Sequence, residues 1–384
     1  MPSIAMVSYK YPPLYSGYGN QAAAVIEEIG QSDPDLDFLI LTWNHGVENI
    51  DLPNTTVYKM GRLNNRAGDY IKTVFFGFFV FAWLLLNRNK YDLIHCLSSF
   101  SHAVFAITAG RILGKKVIIK ITQSEMRKTD SFNFLKNLLR KLRQNYMRYG
   151  DYFIVLNDLT YRELLNWGID SYRIVTIPNG VNNRVFKPVK SDQEKQYLRK
   201  KLRLPASARV LLFSGSLNER KGIKDLIAAL EKRSFFVPAF LVICGPDYGY
   251  GQELVLKKEQ INMVGNIELR YDGLVDNIQD YYAAADIFVL PSYAEGLSNA
   301  LLEAAMSGLA LIGSDIGGNR EVIIDGLNGY LFPAGDVNYL ASLISELVHV
   351  QYKAEKMGRE AASLARLHSF PTRRSSDLDR KSVV

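Results

Sequence analysis

Two cysteines in 384 residues cannot form a disulfide framework, and each ends an apolar run, Tyr91-Asp-Leu-Ile-His-Cys and Leu241-Val-Ile-Cys. Both read as reduced core thiols, which fits a cytoplasmic setting better than a secreted one. No signal-peptide pattern opens the chain, and Pro2 to Ser8 reads as a first strand. The sequon at Asn54-Thr55-Thr56 is therefore expected to stay unmodified. The apolar run Thr73 to Leu86 falls short of the about 20 residues a spanning helix needs. It reads as a helix against the first sheet, with an excess of Phe that suits a membrane surface beside Arg62, Arg66, Lys72, Arg88 and Lys90.

What is present is an ordinary globular balance, 48% hydrophobic and 22% charged, with a net charge of +7 that is unevenly spread. Arg127, Lys128, Lys136, Arg140, Lys141, Arg143 and Arg148 alternate with Phe132, Phe134, Leu135, Leu138, Leu139, Leu142 and Tyr146. That pattern is a basic amphipathic helix, suited to anionic head groups or an acidic substrate, or else a solvated helix face over a buried stripe. No nucleic-acid partner is expected.

The length exceeds the roughly 250–300 residues at which one core usually splits, so two domains are expected. Short apolar runs alternate with longer periodic segments, the pattern of parallel α/β sheets. Strands are expected at Ile4–Ser8, Phe38–Leu41, Leu93–Cys96, Val117–Ile121, Tyr152–Val155 and Arg173–Thr176. After a connector from Ile177-Pro-Asn-Gly-Val through Pro188 to Lys201, a second set runs Val210–Ser214, Ala239–Cys244, Ile267–Tyr271, Ile287–Leu290 and Ala310–Ile312. Helices fill the gaps, near Gln21–Ile29, Ile71–Leu86, Ala103–Leu113, Phe134–Arg148 and Leu159–Trp167, then Gly222–Lys232, Gln252–Val264, Asn277–Ala284, Asn299–Ser307 and Val337–Val348. The fold class is α/β, two Rossmann-like doubly wound domains facing a central cleft at their strand carboxyl ends. The segment from Phe370, FPTRRSSDLDRKSVV, has no apolar period and reads as a non-native tail, 370–384, such as translated adapter sequence.

The most informative passage, Pro291-Ser-Tyr-Ala-Glu-Gly-Leu-Ser-Asn-Ala-Leu-Leu-Glu, follows a strand and opens a helix. Gly296 lets the backbone approach a ligand, and Ser298 or Asn299 is a good helix cap. The amides of Gly296, Leu297, Ser298, Asn299 and Ala300 then point at a place suited to a diphosphate. Glu295 can accept hydrogen bonds from sugar hydroxyls. Glu303, about 6 Å further along the axis, is placed to grip a ribose. A second element, Phe213-Ser-Gly-Ser-Leu-Asn-Glu-Arg-Lys-Gly, brings Arg220 and Lys221 as counter-charges for a leaving phosphate, beside Gly215 and Ser216. In the third, Tyr11-Pro-Pro-Leu-Tyr-Ser-Gly-Tyr-Gly-Asn, Gly17 to Ala22 formally fits a dinucleotide fingerprint but sits about eight residues past its strand.

This set of motifs resembles the family 4 retaining glycosyltransferases (group 1, GT-B fold), over nearly the whole chain to about Ser369. The hallmark Glu-x7-Glu stands at Glu295 and Glu303, with Pro291-Ser before it and Gly313-Ser-Asp-Ile-Gly-Gly-Asn-Arg-Glu-Val-Ile after it. The resemblance implies an acceptor-side domain, 1–182, and a nucleotide-sugar-binding domain, 183–369. It implies that Glu295 contacts the transferred sugar, Glu303 the ribose, and Gly17 and Gly19 the donor phosphates. Gly245 and Pro246, before Asp247, would lie near the base. Two departures stand out. The chain has Ser216 where the family has a phosphate-gripping arginine, which Arg220 would replace. It has Thr122 and Gln123, possible contacts for sugar or acceptor, where the family has a histidine.

The implied activity is transfer of a hexosyl-type sugar, with retention, from a nucleotide diphosphate sugar to a glycan or lipid-linked acceptor in cell-surface polysaccharide synthesis. The alternative is a nucleotide-sugar-binding protein or subunit impaired in catalysis. A Rossmann dehydrogenase rests only on Gly17-x-Gly19. No metal and no cofactor are expected, because no Asp-x-Asp motif stands where a metal site would need it. The enzyme is expected in the cytoplasm or at the inner membrane face, in peripheral contact with anionic lipid.

Overall fold

Parallel strands buried on both faces must be almost wholly apolar, and the runs Ala239–Cys244, Ile287–Leu290 and Ala310–Ser314 are buried at every position. The computed structural model describes residues 2–14, 16–48, 52–61, 69–122, 134–232, 235–251 and 266–370. The chain divides into two units, the first ending at Pro178 and the second starting at Asn179. The first holds β1 (Ser3–Val7), β2 (Asp37–Trp43), β3 (Thr55–Met60), β4 (Leu93–Cys96), β5 (Lys116–Ile121), β6 (Tyr152–Val155) and β7 (Ile174–Thr176). They form one parallel sheet in the order β3-β2-β1-β4-β5-β6-β7.

In the second unit a short β8 (Val181–Asn182) precedes β9 (Arg209–Ser214), β10 (Ala239–Cys244), β11 (Ile267–Gly273), β12 (Ile287–Leu290), β13 (Ala310–Ser314) and β14 (Gly329–Phe332). Its parallel sheet runs β11-β10-β9-β12-β13-β14. Strand order reverses beside β1 and β4 in the first sheet and beside β9 and β12 in the second. In doubly wound sheets the crevice at the strand carboxyl ends of such a reversal is where ligands bind.

The elements expected from periodicity are present, with ends shifted by a few residues; the helix expected at Gln252–Val264 lies outside the described residues. β3, β14 and the helices Asp192–Lys201 and Gln351–Ala365 are additions. Strand β3 is a half-exposed edge strand, Thr-Thr-Val-Tyr-Lys-Met, whose polar residues hide it. Asp192–Lys201 lies in the segment read as connector, and Arg199 is its one buried residue. Its signal is electrostatic: the Ser191 hydroxyl accepts from Glu194 N, Asp192 and Glu194 open it, and Arg199, Lys200 and Lys201 close it. Gln351–Ala365 buries Gly358, four alanines and a single large residue, Met357, so it shows no large apolar stripe. Of the segment read as a tail, Phe370 forms with Ser369 the last strand, β15, parallel to β8, and 371–384 lie outside the described residues.

The Thr73–Leu86 run lies in the helix Asp69–Leu86, and no helix among the described residues is long and apolar enough to cross a membrane. Phe76, Val80 and Leu84, four residues apart, face the core, whereas Ile71, Phe75, Phe78 and Phe79 are exposed on another side. Both cysteines are buried, and burial pushes the Cys96 thiol up to about 12.

A buried ion cluster ties the helix Asp192–Lys201 to the second sheet. Asp286 takes Lys195 Nζ at 2.5 Å, Arg199 Nη2 at 2.7 Å and the Val210 amide at 2.8 Å. Burial alone would raise its carboxyl, but the Lys195 and Arg199 charges outweigh it and hold the pKa below the ordinary aspartate value. Because the folded pKa is depressed, this stability is present above the unfolded value of ~3.9 and is lost as pH falls through the folded one. Asp286→Ala strands two cations and is expected to destabilise the protein by about 3–5 kcal/mol. Urea denaturation at neutral pH measures it, and the difference from the parent must shrink in acid.

Candidate functional site

At the β9/β12 reversal the loop after each strand crosses to the other. The loop after β9 tightens into the turn Glu219–Lys221, capped by the Asn218 side chain accepting from Lys221 N at 3.2 Å. The turn ends on Gly222 at φ +66°, where a Cβ would sit 1.9 Å from the Pro291 carbonyl oxygen. Only glycine permits both the left-handed backbone and that approach. The loop after β12 returns the contact, with the Tyr293 amide donating to the Arg220 carbonyl at 2.8 Å.

These braces bring Arg220, Lys221 and Glu295 together. One carboxylate oxygen, Glu295 Oε1, receives Lys221 Nζ at 2.7 Å and Arg220 Nη1 at 3.0 Å. Arg220 Nη1 also donates to the Ala294 carbonyl at 2.6 Å. The Lys221 and Glu295 side chains are each 9% exposed, so the contact is largely shielded from water. Burial alone would raise the Glu295 carboxyl, but the Lys221 and then the Arg220 charge hold it below the usual value. Behind it, a Cβ on Gly318 would lie 2.3 Å from the Gly296 carbonyl oxygen, so the helix Gly317–Arg320 packs directly on the Glu295–Gly296 backbone.

The helix Asn299–Met306 starts differently from the expectation. Ser298 occupies the cap position, but its side chain makes no capping hydrogen bond. Asn299 does not cap either: its Oδ1 accepts from Asn179 Nδ2 at 2.8 Å, and the same nitrogen donates to the Leu297 carbonyl at 3.1 Å. A start without a side-chain cap keeps the positive end of the helix open to an anion. Glu303, one turn on, also feels the charge of Lys221. Burial pushes its carboxyl up to about 7, against the opposing pull of the Tyr282 hydroxyl and the Lys221 charge. Tyr282, fully buried, and Asn179 are contributors that the sequence pattern does not reveal, since nothing in their local spacing points at the site.

The remaining candidates of the second unit line the neighbouring strand ends. Gly215 N donates to the Cys244 carbonyl at 2.9 Å, Gly245 N to Gly273 at 2.7 Å, and Leu217 N to Pro246 at 2.9 Å. The sheet's hydrogen bonding thus continues past β9 and β10 and fixes Gly215, Ser216, Gly245 and Pro246 side by side. The Ser216 hydroxyl accepts from Asn218 Nδ2 at 2.9 Å. Asp247 accepts from the Gly249, Tyr250 and Gly251 amides, and these hold its carboxyl below the ordinary range.

In the first unit Gly17 and Gly19 are the first turn of the helix Gly17–Ser32, with Ser16 Oγ accepting from Gly19 N at 3.1 Å. That turn follows β1, at the reversal of the first sheet. Thr122 is half-buried directly after β5, and Gln123 lies outside the described residues. Ser98 and His102, after β4, add a buried pair at 3.2 Å; burial pushes His102 down to about 3, so its ring is neutral at physiological pH.

Comparison with known proteins agrees with this layout. The family model described as "Glycosyl transferases group 1" matches residues 194–364, and "Glycosyltransferase Family 4" matches residues 17–184. The N-acetyl-alpha-D-glucosaminyl L-malate synthase of Bacillus anthracis is 26% identical over 278 residues, covering 72% of this chain and 70% of its own. The UDP-Gal:alpha-D-GlcNAc-diphosphoundecaprenol alpha-1,3-galactosyltransferase of Escherichia coli is 26% identical, with coverages of 69% and 68%. The fold is that of Anabaena HepE, solved in complex with UDP and glucose, at TM-score 0.74 and 18% identity over 96% of this chain and 95% of the other.

The raised Glu303 pKa makes a signed prediction. A carboxyl whose folded pKa lies above its unfolded value of ~4.3 contributes stability at low pH that is lost as pH rises toward about 7. Glu303→Gln removes that loss, so its urea midpoint relative to the parent is expected to rise between those pH values. A parallel pair of profiles would show that Glu303 ionises normally.

Proposed function

Because the chain belongs to the group 1, family 4 glycosyltransferases, we propose that it transfers a hexosyl-type sugar, with retention, from a nucleotide diphosphate sugar to a glycan or lipid-linked acceptor. The observation that carries the reading is the shared Glu295 contact of Lys221 and Arg220 beside a helix start without a side-chain cap. Two cations and one carboxylate leave one net positive charge beside the amides, a field suited to a departing diphosphate. Glu295, held ionised, accepts hydrogen bonds from the sugar's hydroxyls, while Glu303 takes the ribose. Arg220 serves in place of the arginine that Ser216 displaces. This positive field is the support for a reaction that requires no metal.

The donor class is supported by the relatives. HepE was solved with UDP and glucose, and the Escherichia coli relative is named for UDP-Gal and a diphosphoundecaprenol-linked acceptor. In the same reading the chain meets its acceptor at an anionic membrane surface. Support comes from the exposed aromatic row of the helix Asp69–Leu86 and from Leu138 and Leu142, exposed on the basic helix Phe134–Met147.

A melting-temperature screen with UDP- and GDP-sugars is expected to give a stabilising donor, and NMR of the product an unchanged anomeric configuration. Glu295→Gln is expected to lower kcat by about 10²-fold or more, through lost sugar positioning. Lys221→Ala is expected to weaken nucleotide diphosphate binding by roughly tenfold to a hundredfold. Tight donor binding without turnover on any acceptor would instead identify a nucleotide-sugar-binding subunit. Phe75→Ser with Phe78→Ser is expected to reduce co-sedimentation with anionic liposomes, and no change would remove the membrane reading.

A further inference from the structure

The amino ends of β5, β6 and β7 lie at the edge of the first sheet away from Gly17 and Thr122, and there the chain gathers cations. A pocket of about 330 Å³ is lined by Arg111, Lys116, Arg148 and Arg173, with Tyr149 and Tyr172 among its walls. Asp151 is the only carboxylate in that lining. It is already engaged, taking Lys116 Nζ at 2.8 Å on one oxygen and the Val117 amide at 2.9 Å on the other.

The site is built rather than scattered. Arg173 donates from Nε to the Asp151 carbonyl at 3.1 Å and from Nη2 to the Arg148 carbonyl at 2.7 Å and to the Gly150 carbonyl. Three backbone acceptors therefore fix its guanidinium and wrap the loop 148–151 around it. The Arg111 guanidinium lies 4.9 Å over the Tyr149 ring, a cation–π contact that holds it in place. Among the described residues neither Arg111 nor Arg148 has a carboxylate within ion-pair distance. Arg173 also pairs with Asp170 at 3.6 Å, so two engaged carboxylates answer Lys116 and Arg173, and the charges of Arg111 and Arg148 are left in excess at a cost in repulsion. An anion relieves it, and planar guanidinium forks match the several acceptor oxygens of a phosphate. The volume is at the low end of the about 300–1,000 Å³ of small-molecule sites, enough for a phosphate and the small group bearing it.

We propose that this pocket is a second ligand site that recognises a phosphate group through Arg111, Arg148 and Lys116, with Arg173 as its fixed base. It is independent of the sugar-donor chemistry assigned to the second unit. The phosphate could belong to a soluble phosphorylated compound or to a lipid head group, and the two are separable.

The test compares the full chain with an Arg111→Gln, Arg148→Gln double variant. Both side chains are exposed, so the variant is expected to keep its melting temperature and its stabilisation by nucleotide diphosphate. Arg173, which braces the loop, is left intact. Calorimetry with inorganic phosphate forms one arm, and flotation with phosphatidylcholine vesicles with and without phosphatidic acid forms the other. The parent is expected to bind in at least one arm and the variant to bind there at least about tenfold more weakly. Loss confined to the phosphate arm identifies a soluble ligand, and loss confined to the phosphatidic acid vesicles identifies a head group. Equal binding by both proteins, as for an anion held at the donor helix, or no binding by the parent in either arm, overturns the proposal. If the double variant proves unstable, Arg148→Lys, which keeps the charge but removes the fork, must still bind more weakly than the parent in whichever arm the parent binds.

Discussion

Everything at the candidate site depends on one carboxylate oxygen shared by two cations. Glu295 Oε1 can receive Lys221 and Arg220 only because the loops after β9 and β12, some seventy residues apart in sequence, are bolted together. The bolt is backbone: the Tyr293 amide on the Arg220 carbonyl, and Gly222 under the Pro291 carbonyl. A side chain at Gly222 would separate the loops and leave a buried glutamate without its counter-charges. In a shielded setting that is far more costly than the loss of a surface ion pair.

The two glutamates of the Glu-x7-Glu element illustrate how one cation can treat two carboxylates differently. Both feel the Lys221 charge, yet Glu295 is held below its ordinary pKa and Glu303 is raised to about 7. The difference is contact. Glu295 has two direct cationic partners, whereas Glu303 has a tyrosine hydroxyl and the more remote effect of the lysine. The first is committed to being an acceptor. The second can hold or release a proton near neutrality, and so can either donate to or accept from a hydroxyl pair.

Much of this was legible in the sequence, and the illegible parts share a cause. Periodicity exposes elements that bury large apolar residues, which is why β10 and β12 match their expected spans to the residue. It misses Asp192–Lys201, whose anchor is a buried arginine, and Gln351–Ala365, which packs through alanine and glycine. At the site, Glu295, Glu303, Lys221 and Arg220 carry a spacing or a chemistry that singles them out. Ser298 and Asn299 have the right composition for a cap, but their use depends on Asn179, more than a hundred residues earlier. Tyr282 is equally invisible, because a buried tyrosine whose hydroxyl acts on the Glu303 carboxyl leaves no local pattern.

Asn179 has a consequence beyond holding a loop. A trans peptide is planar, with its carbonyl and amide pointing in opposite directions. By seizing the Leu297 carbonyl from behind, Asn179 dictates where the Ser298 N–H aims in front, as a hand on one end of a compass needle sets the other. The direction of a dipole at the helix mouth is thus steered by the first residue of the second unit, without that residue needing to touch any ligand.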